Sequence, residues 1–313
     1  MKREIKDLVD NIEKVIIGKR DPVLKIIAAM LCGGHVLIED VPGVGKTRLV
    51  AALASSVSGK FNRIQMTPDV MPSDIVGFTM INPETKSFEY REGIAMCNFL
   101  LADEINRASP KVQSSLLEIM DERQVSIDSN TFALPNPFMA LATQNPVETY
   151  GTYHLPEAQM DRFLIRISLG YLKPAEEIRL LDAHYHDEKE NVGHVLTPEH
   201  VIGLQEEVRK IYSHDLIKKY IMNIIGTTRN NMNIRLGISP RGTIGLNAMA
   251  KAMAFISGRN YVTSDDVISV APSVLAHRLI LSPNGTERYA TQETAVIDIV
   301  KNTPLPESGA LYR

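Results

Sequence analysis

Two periods alternate through the first half of the chain, and only one of them continues into the second. Over residues 1–32 the apolar positions recur at helical spacing: Ile5, Leu8, Val9 and Ile12, then Val23, Ile26, Ile27 and Met30. Ile17-Gly18-Lys19 separates these two helices, and Pro22 stands where the second begins. The pattern then changes to short, mostly apolar runs at 36–38, 98–102, 137–143 and 164–167, with a further strand read over 61–66. Runs of this length, bounded by polar turns, predict parallel strands buried on both faces.

Between those runs lie an amphipathic helix over 47–57 and another that turns Val112, Leu116, Leu117, Ile119 and Met120 inward. Ser109-Pro110 starts the latter, with serine as N-cap and proline in the first turn. Residues 78–91, around Asn82-Pro83-Glu84-Thr85, and residues 124–134 alternate with period two and predict hairpins. The stretch 67–77, punctuated by Pro68 and Pro72, reads as a loop or a short inserted helix. A short helix is expected over 157–163.

Near Lys173-Pro174 the strand signals stop. Helical patterns follow over 175–186, 198–212, 215–229, 241–257 and 264–281. Thr197-Pro198 and Ser239-Pro240 read as helix starts, and Thr263 with Asp266 as a capping box. The expectation is an α/β core over 1–172, built on a central parallel sheet flanked by helices, and an all-helical domain over 173–313.

Composition changes this picture little. The chain has 313 residues, 44% apolar and 23% charged, enough for a sizeable core in an ordinary globular protein. A net charge of −3 without a strongly basic stretch argues against a general nucleic-acid binder. Cys32 and Cys97 lie in apolar surroundings without metal spacing and read as buried thiols, which suits a reducing cytosol. Residues 1–6 are charged and lack a signal peptide's apolar core, and the longest apolar run is too short to span a membrane. A cytoplasmic location is therefore expected. His184, His186, His194, His200, His214 and His277 show no ligand spacing and read as structural or exposed.

Candidate chemistry sits where apolar runs end. The run 36–38 breaks into Pro42-Gly43-Val44-Gly45, after which Lys46, Thr47 and Arg48 open a helix. Strand, glycine turn, helix is the order a phosphate-binding loop needs, because backbone N–H groups and the helix dipole converge there on an anion. Lys46 is expected to reach the β- and γ-phosphates of ATP, and the Thr47 hydroxyl to ligate Mg2+. Asp40 stands where such loops usually carry glycine, so its carboxylate is expected to face away from the phosphates. The turn at Ile17 and Gly18 could lie beside the adenine ring or simply brace two helices.

The run 98–102 ends in Asp103-Glu104, placing two acids at a strand's carboxyl end, the edge where open parallel sheets bind ligands. Asp103 suits a magnesium ion held through water, and Glu104 suits activation of the attacking water. The run 137–143 ends at Gln144-Asn145-Pro146, where Asn145 could hold a water against the γ-phosphate or merely form a turn. Arg162 taken alone reads as a surface salt-bridge residue. Arg241 lies in the first turn of its helix, a poor place for a cation unless it faces an anion.

Taken together these runs resemble the MoxR group of AAA+ ATPases over nearly the whole chain. The matching stretches are 39–47, 102–108, 142–146, 155–163 and Ser239-Pro240-Arg241. The resemblance implies an AAA+ P-loop core with a helical lid. It implies Walker A at Gly43 to Thr47, Walker B at Asp103 and Glu104, sensor 1 at Asn145 and sensor 2 at Arg241, reaching back from the lid. Arg162 resembles the arginine finger that acts on a neighbouring subunit's ATP, with Arg107 as rival. Residues 67–77 match the family's insert in the second helix, and 124–134 its pre-sensor hairpin. His154 stands where relatives usually have proline.

The function so implied is ATP-driven, chaperone-like remodelling of a protein partner by a homohexameric ring, with clients often carrying von Willebrand A-type domains. A nucleic-acid motor or loader is the alternative, but residues 124–136 offer no basic hairpin and include Asp128. A nucleotide-gated scaffold is a third reading, which Glu104 opposes.

Overall fold

The computed structural model describes residues 1–41, 43–128, 130–146, 151–185 and 192–306; for residues 180 and 182–185 the backbone alone is described. Pro42 and His186, named in the sequence reading, lie outside the described residues.

The chain opens with α1 (Arg3–Glu13) and α2 (Arg20–Leu31), then β1 (Val36–Glu39), α3 (Lys46–Ser56) and β2 (Phe61–Gln65). A short α4 (Pro72–Val76) leads into the hairpin β3 (Gly77–Ile81) and β4 (Phe88–Glu92). Next come β5 (Phe99–Asp103), α5 (Pro110–Glu122), the hairpin β6 (Gln124–Ile127) and β7 (Asn130–Ala133), β8 (Met139–Gln144), α6 (Glu157–Met160) and β9 (Ile165–Ile167). The second half holds α7 (Pro174–Tyr185), α8 (Pro198–Lys210), α9 (Asp215–Arg229), β10 (Ile234–Leu236), α10 (Pro240–Ile256), α11 (Ser264–Leu275), β11 (Ile280–Leu281), α12 (Pro283–Arg288) and α13 (Gln292–Asn302).

The five predicted strands form one parallel sheet in the order β2-β5-β8-β1-β9. Side chains alternate between its faces. Val36, Ile38, Phe99, Leu101, Met139 and Leu141 join the apolar cluster of α1, α2 and α3. Leu37, Leu100, Ala102, Ala140 and Ala142 join that of α5. Covered on both sides, β1, β5 and β8 have no polar face to show, which is why they read as apolar runs, whereas β2 at the sheet's edge is only half-buried and keeps Asn62, Arg63 and Gln65.

The helical second half shares the first of these clusters: Leu246, Met249 and Val267 belong to the same apolar body as Ile5 and Ile27. It is not wholly helical, however. β10 and β11 pair antiparallel, and the helix expected over 264–281 stops at Leu275. A 3-10 turn, Ala276–Arg278, follows. Strands of two or three residues are too short to create a period, so only tertiary pairing defines them. α12 and α13 also lie beyond the predicted helices, although Ser282-Pro283 and Thr291 are ordinary helix starts: Ser282 Oγ accepts the Gly285 N–H and Thr291 Oγ1 that of Thr294.

Both predicted hairpins form, and they touch: Tyr90 of β4 stacks on Phe132 of β7 with ring centroids 4.1 Å apart. Gly77, at φ +92°, makes the junction of α4 and β3; a Cβ there would lie 2.2 Å from the Arg91 carbonyl oxygen. Among the described residues no helix is long and apolar enough to cross a membrane.

Candidate functional site

The glycine loop leaves the carboxyl end of β1. Gly43 and Gly45 have φ of +87° and +89°, a region costly to residues with a Cβ, and their Cα atoms face open space. Gly45 is the N-cap of α3, so Lys46 and Thr47 occupy the first turn. The Lys46 ammonium donates to the Asp40 carbonyl at 3.0 Å.

The Asp40 carboxylate does turn away from the loop. Its Oδ2 accepts the N–H groups of Leu169 (2.6 Å) and Gly170 (2.8 Å) and the Ser168 hydroxyl (3.2 Å). The same segment is gripped from its carbonyl side by the buried Lys19, whose Nζ donates to Gly170 and Tyr171, both at 2.9 Å. An acid at the root of the glycine loop thus ties that loop to the segment joining the sheet to α7.

A cleft of about 470 Å3 adjoins the loop, walled by Ile17, Val44, Gly45, Arg48, Tyr171 and Leu181. Ile17 therefore stands beside the glycines, as one of its two readings expected. Gly18 makes the turn (φ +71°), where a Cβ would lie 2.3 Å from the Glu176 carboxyl carbon. An apolar cleft continuous with an anion-binding loop has the shape and chemistry of a nucleotide site. Thr47 and Asp103 supply hard oxygen donors of the kind magnesium takes, and the open space over the glycines leaves room for phosphates, so the residues present fit a magnesium nucleotide.

The acids and the amide reach the same edge through the sheet. β8 lies between β1 and β5, with Glu39 opposite Gln144 and Ala102 opposite Ala142. Asp40, Asp103-Glu104 and Asn145 thus all follow the carboxyl ends of three adjacent strands. Asp103 Oδ1 accepts the Thr143 hydroxyl at 2.6 Å, and that same hydroxyl oxygen accepts the Glu104 N–H at 2.9 Å. Arg63 of β2 donates to Asp103 Oδ2 at 2.8 Å.

Glu104 adopts left-handed backbone angles (φ 57°, ψ 53°), an uncommon conformation for a residue with a long side chain. Its Oε2 accepts the Gln65 amide at 2.8 Å and pairs with Arg107 at 3.0 Å. Arg107 is thus engaged with the acid of its own chain.

Arg162 and Arg241 lie elsewhere. Arg162 donates to the Leu117 carbonyl at 2.8 Å and pairs with Asp121 at 3.1 Å; Arg241 pairs with Asp121 at 3.4 Å. Asp121 sits at the end of α5, beside residues that precede β1: the neighbouring Met120 carbonyl is bonded to His35, and Arg123 donates to Gly33. This is the amino edge of the sheet, and β1 alone separates it from the glycine loop by about 13 Å. Arg241, carried by the first turn of α10, thus pairs with Asp121 at the edge opposite its own chain's loop. Packing of α10 on α2 and α11 directs its first turn to this edge.

Two buried histidines pack near the amino edge. His35 accepts the Ala140 N–H on Nδ1 and faces the Met120 carbonyl with Nε2, both at 2.9 Å; burial pushes its pKa down to about 4. His277 Nε2 lies 3.0 Å from the Phe163 carbonyl, and burial, with the charge of Arg278, holds its pKa well below the usual value.

Sequence reasoning missed Gln65, Arg63, Thr143, Lys19 and Asp121. Thr143 lay inside a matching stretch without a role. The others carry no local signal, since each acts on a partner distant along the chain.

The fold and its residues have known counterparts. Residues 35–165 match the model of the ATPase family associated with various cellular activities, and residues 226–299 that of the AAA lid domain. An uncharacterized protein of Bacillus subtilis, YeaC, is 46% identical over 97% of this chain and 96% of its own length. The chaperone MoxR1 of Mycobacterium tuberculosis is 39% identical over 96% of this chain and 82% of its own. The crystal structure of a Cytophaga hutchinsonii protein, 37% identical, superposes with a TM-score of 0.89 over 97% of this chain and 95% of that one.

Proposed function

The chain belongs to the MoxR family of AAA+ ATPases, and from that premise we propose that it hydrolyses ATP in a homohexameric ring to remodel a protein client. The observation that carries this reading is the division of the candidate residues between two edges of one sheet. Loop, acids and amide meet at the carboxyl edge; two arginines meet at the amino edge. Hydrolysis that needs both sets needs two protomers.

In this reading the N–H groups of Gly43 to Thr47 bind the phosphates, and Lys46 exchanges the Asp40 carbonyl for phosphate oxygens. Ile17 and the cleft beside it receive the base. Glu104 takes a proton from water, and Asn145 orients that water. Thr47 and, through water, Asp103 would hold a magnesium ion, which would supply neutralisation of phosphate charge. Arg162 and Arg241 leave Asp121 for the γ-phosphate on the adjoining protomer and stabilise transition-state charge, a contribution of about 10³-fold or more. The chain's 1–172 and 173–313 portions act as nucleotide core and lid. A cytoplasmic location suits the need for ATP and the two free thiols, Cys32 and Cys97.

Glu104→Gln is expected to bind ATP and not turn it over; hydrolysis at the wild-type rate would remove Glu104 from the mechanism. Arg162→Ala and Lys46→Ala should each be inactive and regain activity when mixed, because each supplies what the other lacks. Continued silence of the mixture would refute action across the boundary. The Glu104→Gln protein, held in ATP, is the bait for the client, expected to carry a von Willebrand A-type domain.

A further inference from the structure

We infer that Arg278 is a positioning residue for hydrolysis: its buried guanidinium locks the turn that carries Arg162 to the first turn of the helix that carries Arg241. The inference rests on the proposed action of those two arginines on a neighbour's nucleotide.

Arg278 stands in the 3-10 turn after α11, with 2% of its side chain exposed. Its Nε donates to Asp161 Oδ1 at 2.6 Å. Its Nη2 donates to the carbonyls of Asp161 (3.1 Å) and Phe163 (2.6 Å), and its Nη1 to those of Leu164 (3.0 Å) and Val274. Three of these residues, Asp161, Phe163 and Leu164, flank Arg162 on both sides. A planar fork of fixed donors is suited to hold a backbone turn in one shape, and a lysine could not reproduce it.

The second half of the link runs through Asp161. Its two carboxylate oxygens lie 3.1 and 2.9 Å from the Ser239 hydroxyl, which donates to them. Ser239 is the N-cap of α10 and accepts the Gly242 N–H at 3.2 Å. Gly242 lies against the Arg278 stem, where a Cβ would come within 2.9 Å of Cδ. Arg162 and Arg241 each stand within two residues of this network, and both end on Asp121. Arg278, Asp161 and Ser239 therefore fix the separation of the two cations, and a misplacement of about 1 Å at such a site can cost about a hundredfold in rate.

The test is a complementation experiment with the full chain, using Arg278→Lys. Binding of a fluorescent ATP analogue and the melting transition check its own loop and its fold. Expected are an affinity within about twofold of wild type, KM within about twofold, and kcat lowered about tenfold. Mixing with Lys46→Ala should restore hydrolysis, since that partner supplies intact arginines. Mixing with Arg162→Ala should not, because both proteins then lack the same function. Recovery in the second mixture, or a wild-type kcat for Arg278→Lys alone, would overturn the inference. So would failure of the first mixture while Arg162→Ala with Lys46→Ala recovers. If that reference pair itself stays silent, the action across protomers falls, and this inference with it. Should Arg278→Lys not fold, Ser239→Ala decides by the same mixtures, since it removes only the bond to Asp161 and the cap.

Discussion

Gln65 donates its side-chain amide to the Glu104 carboxylate across two strands, at 2.8 Å. Arg107 shares the same oxygen, and Thr143 holds the Glu104 N–H, so a residue in left-handed backbone geometry is anchored at three points. Such strain, of order 1–3 kcal/mol, persists only where its surroundings impose it. Removing Gln65 leaves the carboxylate to Arg107 alone, drawn off the line of the attacking water. Gln65→Ala is expected to lower kcat about tenfold with little change in KM. Steady-state phosphate release over a range of ATP concentrations measures both; a raised KM at constant kcat would contradict this role.

The Asp40 carboxylate accepts the N–H groups of Leu169 and Gly170 while 7% exposed. Asp40→Ala orphans the buried Leu169 donor and the half-buried Gly170 donor and should cost about 3 kcal/mol in urea denaturation. Asp40→Asn keeps one acceptor oxygen and should cost less. Equal stability of wild type and Asp40→Ala would show that the segment over 168–171 is held by other means.

Gly77 is expected to tolerate no side chain. At φ +92°, with the Arg91 carbonyl 2.2 Å from a would-be Cβ, Gly77→Ala must displace the start of the β3–β4 hairpin. Amide exchange over residues 77–92 should then lose protection while nucleotide binding at the distant loop persists. Unchanged protection in that hairpin would contradict the packing described.

Stability should fall as the solution is acidified below neutrality. An unfolded histidine takes up a proton near pH 6.5, whereas His35 resists until about pH 4 and His277 is displaced in the same direction. The unfolded chain therefore binds more protons through this interval, and folding weakens as pH falls. Above pH 6.5 there is no such penalty; below about 4 the His35 share is complete, at about 3 kcal/mol. Urea midpoints at pH 7.5 and 5 measure the slope, and His35→Gln, which keeps a donor for the Met120 carbonyl, should flatten it. A slope identical in the two proteins would sink the assignment to His35.

Much of the architecture was legible because it depends on neighbours along the chain. Unbroken runs such as 36–38 and 138–142 announce strands covered on both faces, and Gly43 and Gly45 announce a turn that few other residues can make. Asp103-Glu104 and Asn145 could be assigned to strand ends because the runs before them were visible. The orientation of the Asp40 carboxylate followed from repulsion alone.

What remained hidden depends on contacts that span the chain. Asp121 reads as one more acid on a solvated helix face, yet Arg241 reaches it from 120 residues away. Arg278 lies inside the helix expected over 264–281, yet its acceptors on Asp161, Phe163 and Leu164 lie 114–117 residues earlier. Sequence determined the strands, the glycine turn and the types of side chain at each strand end, because steric and apolar preferences act over a few residues. Only the tertiary structure decided which edge of the sheet each charge serves, because helix packing alone sends the first turn of α10 to the edge opposite the loop.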